Sequence, residues 1–161
     1  MVWGGAGYDG AGGGAMQRLL FVCTGNLCRS PMAAAIADQL ALAMAREVEI
    51  RSAGTRARAG DPAHPQVVAV CRELGIDLTA HRATPLDEAL VRWADRVFVM
   101  EPEHATAART LAPDLPEASV VHLAGLVGKA VIEDPIGAWF RSTYRRTRDE
   151  LASAVRRALT S

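Results

Sequence analysis

A cysteine followed six positions later by an arginine, and then a serine, stands out in the string Cys23-Thr24-Gly25-Asn26-Leu27-Cys28-Arg29-Ser30. A thiolate is a strong nucleophile, and a guanidinium presents a planar fork that matches two oxygens of a phosphate. Gly25 and the small or polar residues around it let the backbone turn tightly, so several N–H groups can converge on one anion. Ser30 can donate its hydroxyl to the thiolate and stabilise it as a leaving group. Taken singly, a cysteine ending a buried strand is most often a small apolar residue. The complete string, with Arg29 and Ser30 at that spacing, points instead to nucleophilic attack on a phosphoryl group.

Such a string works only if flanking elements hold it in shape. Residues 18–22 predict a short buried strand directly before it. Pro31 sits where proline is tolerated, in the first turn of a helix. Ile36, Leu40 and Met44, beside Ala33, Ala37 and Ala41, mark one face of that helix. The string therefore lies between a strand's carboxyl end and a helix N-terminus, where open parallel sheets bind ligands. There the orphan N–H groups and the partial positive charge of the helix favour a dianion and a thiolate alike. Further strands are expected at 48–53, 96–100 and 120–123. Helices are expected at about 64–74, closed by Gly75, at 86–93, and where Tyr144, Thr147, Leu151, Val155 and Leu159 recur at helical spacing. Strands alternating with helices imply an α/β fold, a parallel sheet with helices on both faces, in a single domain.

Bulk properties narrow the classes of function. The chain has 161 residues, half of them apolar and 22% charged, as in an ordinary globular domain. Eighteen basic residues balance eighteen acidic ones, so no global field favours nucleic acid or a membrane surface. No run approaches the roughly 18 apolar residues of a membrane span. Three cysteines are too few for a disulfide framework, and no second close Cys/His pair completes a zinc site. Reduced thiols, a cytoplasmic location, and neither metal nor cofactor are expected. Residues 1–15 hold seven glycines and read as a flexible leader, with Met16 a sensible start for a domain over 16–161.

The stretch from Val22 to Pro31 resembles the phosphate loop of the low-molecular-weight protein tyrosine phosphatases. The resemblance runs from about Arg18 to Leu159. It takes in Ser52-Ala53-Gly54-Thr55, Gly75-Ile76-Asp77-Leu78 leading to His81-Arg82-Ala83, the strand ending in Met100, and Asp134-Pro135. It implies a four-stranded parallel sheet in the order 2-1-3-4. It also implies a phosphocysteine on Cys23, with Arg29 gripping the phosphate beside Thr24, Gly25, Asn26, Leu27, Cys28 and Ser30. Asp134 would be general acid and then general base, its backbone restricted by Pro135. Asn26, Ser30, Ser52 and His81 would form a hydrogen-bond network holding the loop. Cys28 is either a trap for oxidised Cys23 or a small buried residue. Cys71 reads as core, and His64, His104 and His122 as ordinary.

The chain also departs from the tyrosine-selective pattern. The loop Arg56-Ala57-Arg58-Ala59-Gly60 lacks the aromatic residue usual there, and Ile136-Gly137 replaces a frequent Tyr-Tyr. The Asp-Pro-hydrophobe-Gly pattern and the helix from Tyr144 look more like the bacterial branch containing protein arginine phosphatases. That branch has a threonine where this chain has Leu27. Leu27 offers a ring an apolar surface but no hydroxyl, which favours phosphotyrosine over phosphoarginine. The substrate is thus a phosphorylated protein or a small phosphomonoester, with protein arginine phosphatase as the alternative. Arsenate reductase is disfavoured because Cys71 stands alone as a relay thiol. A phosphate-reading module without catalysis would have lost Cys23, Arg29 or Asp134. Deleting residues 1–15 should leave turnover and melting temperature unchanged, because so glycine-rich a segment has little apolar surface to offset ordering; a loss of several degrees would show that it packs on the domain.

Overall fold

The computed structural model describes residues 16–160. Strand β1 (Gln17–Cys23) lies at the centre, parallel to β2 (Val48–Gly54) on one side and β3 (Arg96–Val99) on the other. Strand β4 (Val120–His122) adds to β3, giving the order β2-β1-β3-β4. Helices α1 (Arg29–Ala43), α2 (Pro65–Arg72), α3 (Glu88–Trp93), α4 (Pro102–Leu111) and α5 (Arg141–Thr160) flank the sheet. The expectation of an α/β domain with a parallel 2-1-3-4 sheet is met. The leader expected at residues 1–15 lies outside the described residues.

Alternation along β1 divides the core in two. Leu19, Phe21 and Cys23 face the larger cluster, built with Met32, Val67, Val70, Leu151 and Val155 from α1, α2 and α5. Leu20 and Val22 face the smaller one, with Val91, Ala105 and Ala108 from α3 and α4. Phe21 stacks on Phe98 of β3 with ring centroids 5.0 Å apart. A strand buried on both faces explains why 18–22 is an unbroken apolar run after its first residue.

Several boundaries differ from expectation: α3 begins at Glu88 rather than at 86, and β3 ends at Val99 rather than at 100. Helix α2 stops at Arg72, and Gly75, at φ +75°, takes the left-handed turn that lets Ile76 N–H reach the carbonyl of Cys71 at 3.1 Å. Leu123 begins a 3-10 turn rather than ending β4. Helix α4 has no expectation behind it, because its buried residues are His104, Ala105 and Ala108, too small or polar to show as a periodic apolar face.

Two features of the scaffold act on the loop after β1. Glu73 holds both Arg145 and Arg148 of α5, at 2.7 Å each, and that pair of guanidiniums draws its carboxyl down to about 2. Arg148 also donates to the Val70 carbonyl at 2.9 Å, so α5 is pinned to α2. On the other flank, Gly54 ends β2 against the loop: a Cβ there would stand 2.5 Å from the Thr24 carbonyl oxygen and 2.8 Å from the Asn26 nitrogen. Backbone atoms on both sides leave a side chain no room to relax. Gly54→Ala should therefore cost about 1–3 kcal/mol, the usual cost of overpacking. Urea unfolding should show the lower midpoint with an unchanged slope; an unshifted midpoint would mean the loop yields freely.

Candidate active site

Cys23 is the last residue of the central strand, and the loop leaves it for the first turn of α1 at Arg29. Strand β2 continues alongside: Thr55 N–H bonds to the Cys23 carbonyl and Arg56 N–H to the Thr24 carbonyl, both at 2.9 Å. The loop's shape turns on Asn26, which adopts φ +56°, a left-handed conformation that asparagine tolerates better than most residues. Its side-chain nitrogen donates to Ser30 Oγ at 2.7 Å and Ser52 Oγ at 3.0 Å. Its side-chain oxygen accepts Thr84 N–H at 2.9 Å, and its carbonyl accepts His81 Nε2–H at 2.7 Å. The residues that the sequence assigned to a supporting network thus meet on one asparagine. Ser52 and His81 act through it, with no helix-capping role.

Ser30 Oγ lies 2.9 Å from Cys23 Sγ. Because Ser30 accepts from Asn26, its own hydrogen is free for the sulfur, which is nearer than its other acceptor, the Ala53 carbonyl at 3.3 Å. Cys28 is buried, and desolvation first, then the charges of Asp134 and Cys23, push its thiol far up, so it stays protonated. Burial likewise pushes Cys71 up to about 12. Both are free thiols, and Cys71 packs in the core as expected.

Arg29 is only 1% exposed. Its Nη1 donates to Glu101 Oε2 and to the Ile132 carbonyl, each at 2.6 Å. Its Nη2 faces Thr24 Oγ1 at 3.5 Å and Asp134 Oδ2 at 3.6 Å. Asp134 Oδ1 accepts Ile136 N–H at 3.0 Å, an Asx turn that leaves Oδ2 towards the arginine. The half-exposed carboxylate of Asp134 therefore stands where a group bound to Arg29 would meet it. Of the three residues expected to carry the chemistry, Arg29 and Asp134 face each other at 3.6 Å, and Cys23 opens the loop that ends at Arg29.

Two residues of this neighbourhood had no role in the sequence reading. Glu101 is the ion-pair partner of Arg29, and His104, read as ordinary, is fully buried with Nε2 2.9 Å from Thr24 Oγ1. The available signal was position: a carboxylate two residues past a strand beside the central one lies at the ligand edge of the sheet. Glu101, Glu103 and His104 also form the one group among the described residues whose ligand atoms could gather around a metal. Glu101 is committed to Arg29 and both His104 nitrogens are hydrogen-bonded, so the group offers a cation little. His64 caps α2 through Gln66 N–H, stacks on Tyr144 and donates its N–H to the Leu27 carbonyl at 3.0 Å; His122 is exposed.

The rim of the loop follows from these anchors. Residues 133–140 run from Ile132, held at Arg29, to Arg141, which donates to Gln66 at 2.7 Å beside His64 and Leu27. Trp139 and Phe140 on that span are 92% and 74% exposed. Arg56 and Arg58 are exposed on the β2 side, and Leu27 is half-buried.

The profile of the family described as Low molecular weight phosphotyrosine protein phosphatase matches residues 18–161. A protein-arginine-phosphatase of Geobacillus stearothermophilus is 36% identical over 143 residues, 87% of this chain and 92% of that one. A probable low molecular weight protein-tyrosine-phosphatase, EpsP, of Ralstonia solanacearum is 44% identical over 85 residues, 53% of this chain and 56% of its own. Among solved structures, the YwlE arginine phosphatase with a phosphorylated active-site serine superposes with a TM-score of 0.82 at 33% identity, covering 89% of this chain and 93% of that one. With the phosphate loop, the sheet order and a match over nearly the whole described chain, the protein belongs to the low molecular weight phosphotyrosine protein phosphatases, hydrolases of phosphomonoesters.

Proposed function

We propose that the protein dephosphorylates phosphotyrosine in proteins through a phosphocysteine on Cys23, with Asp134 as general acid and then general base. The observation that carries this reading is Cys23 Sγ held 2.9 Å from Ser30 Oγ at the head of a loop that ends in a buried Arg29, whose Nη2 faces Asp134. The thiolate lone pair attacks phosphorus as the ester P–O bond breaks, and Asp134 gives its proton to the departing oxygen. A water then attacks the phosphocysteine, its proton passes to Asp134, and the S–P bond breaks. The returning thiolate is stabilised by the Ser30 hydroxyl. Backbone N–H groups of Thr24 to Ser30 and the Arg29 Nη2 edge carry the negative charge in both steps. Free thiols support a cytoplasmic location, and no described helix is long and apolar enough to cross a membrane. A buried Cys71, held protonated in α2, gives no support to a disulfide relay for arsenate.

Cys23→Ser should abolish turnover while leaving the fold and phosphate binding intact, since serine keeps the loop but lacks the thiolate. Asp134→Asn should slow tyrosyl phosphate hydrolysis by about 10²-fold or more, and an ester with an activated leaving group far less. Steady hydrolysis by the serine variant, or equal losses on both esters with Asp134→Asn, would refute the assignment.

Phosphoarginine is the second reading, favoured by the 36% identity to a protein named an arginine phosphatase over most of both chains. Leu27 favours tyrosine: its side chain packs beside Gly25 in the loop, and an apolar residue there offers a ring a surface but a guanidinium no hydroxyl. The tyrosine efficiency should be modest, because an aromatic stacking partner contributes ~0.5–1.5 kcal/mol and the β2 side of the rim has none. Parallel kcat/KM measurements on phosphotyrosine and phosphoarginine peptides should favour the former, and Leu27→Thr should move the ratio towards the latter. A wild-type preference for phosphoarginine, or an unmoved ratio, would overturn the choice.

A further inference from the structure

We infer that His104 is a positioning residue of this site: a neutral imidazole that orients the Thr24 hydroxyl, and through it the phosphate-facing edge of Arg29. The inference rests on the phosphatase reading above. His104 lies in the first turn of α4, completely buried. Its Nδ1 accepts the N–H groups of Met100 at 3.3 Å and Glu101 at 3.2 Å. A ring nitrogen that accepts carries no proton, so in a neutral ring the hydrogen is on Nε2. That Nε2–H donates to Thr24 Oγ1 at 2.9 Å, and Arg29 Nη2 approaches the same oxygen at 3.5 Å.

Two donors on one hydroxyl oxygen occupy both of its lone pairs. The Thr24 hydrogen is then left for a third partner, which has to be an acceptor. A phosphoryl oxygen held by the same guanidinium meets that need. The carboxyl end of β3 thus supports Arg29 twice: Glu101 holds Nη1 directly, and His104 aligns Nη2 through Thr24. Neutrality is part of the design. Burial first, and then the Arg29 charge, keep the imidazole below its ordinary value, against the opposing pull of Glu101, Glu103 and Asp134. A proton on Nδ1 would face two N–H groups and break both bonds.

The alternative is that His104 only caps α4. Two variants separate the roles. His104→Asn keeps an acceptor near Nδ1 for the backbone N–H groups but cannot reach Thr24. His104→Gln places an amide donor near the Nε2 position instead. His104→Asn and Thr24→Val should each lower kcat/KM on an aryl phosphate about three- to tenfold, the size of one hydrogen bond, and weaken inhibition by inorganic phosphate in parallel. The double variant should lose no more than either single one, and His104→Gln should recover most of the loss. Nitrogen NMR of the wild-type ring should show hydrogen on Nε2 and a bare Nδ1, persisting below pH 6.5. Additive losses, full activity in a folded His104→Asn, or a hydrogen on Nδ1 would overturn the inference. If His104→Asn does not fold, the ring's tautomer and the phosphate affinity of Thr24→Val still decide. A wild type without ester turnover refutes the phosphatase reading alone, since tautomer and phosphate affinity are measured apart from it.

Discussion

A guanidinium buried at the carboxyl edge of the sheet is the constraint around which this molecule is arranged. A charge removed from water is tolerable only when paired and fully hydrogen-bonded. Arg29 meets the condition with four groups from three parts of the chain: Thr24 in its own loop, Glu101 beyond β3, and the Ile132 carbonyl with Asp134 two residues on. The pairing with Glu101 leaves one face of the fork committed to the protein and the other turned to the site. A ligand therefore meets a cation whose direction is already fixed, and pre-organisation of this kind is what electrostatic catalysis requires.

The second constraint is the turn itself. Left-handed backbone at Asn26 is strained for most side chains, and it persists here because both side-chain polar atoms and the carbonyl of that residue are held. Asparagine combines tolerance of the conformation with two donors and an acceptor, which explains its place better than size alone. Ser30 then links this network to the sulfur, so the loop's geometry and the nucleophile's environment are set by the same hydrogen bonds. Loss of Asn26, Ser52 or His81 would therefore reach Cys23 only through Ser30 and the backbone of the loop.

The site was legible where its chemistry is contiguous. Cys23 to Ser30 is one string between a strand and a helix, and both its residue types and its position declare an anion site. Asp134, Ser52 and His81 are far from it in sequence, and only the resemblance of the surrounding segments marked them. Glu101 and His104 escaped both routes. A single carboxylate and a single histidine carry no local pattern, and α4, which presents them, buries alanines that produce little periodic contrast. What the residues could not reveal is pairing across 72 and 80 positions, which the sheet order alone creates. Pairings at that separation belong to the topology.

The Ile132 backbone receives Arg29 on its carbonyl and gives its N–H to the Met100 carbonyl, while Arg141, nine residues on, is tied to Gln66. The stretch between is tied at both ends, with Asp134 near one of them and two exposed aromatic rings near the other. The carboxylate and the rings therefore hang from one pair of anchors, and losing the Ile132 or the Arg141 tie loosens the span that carries both.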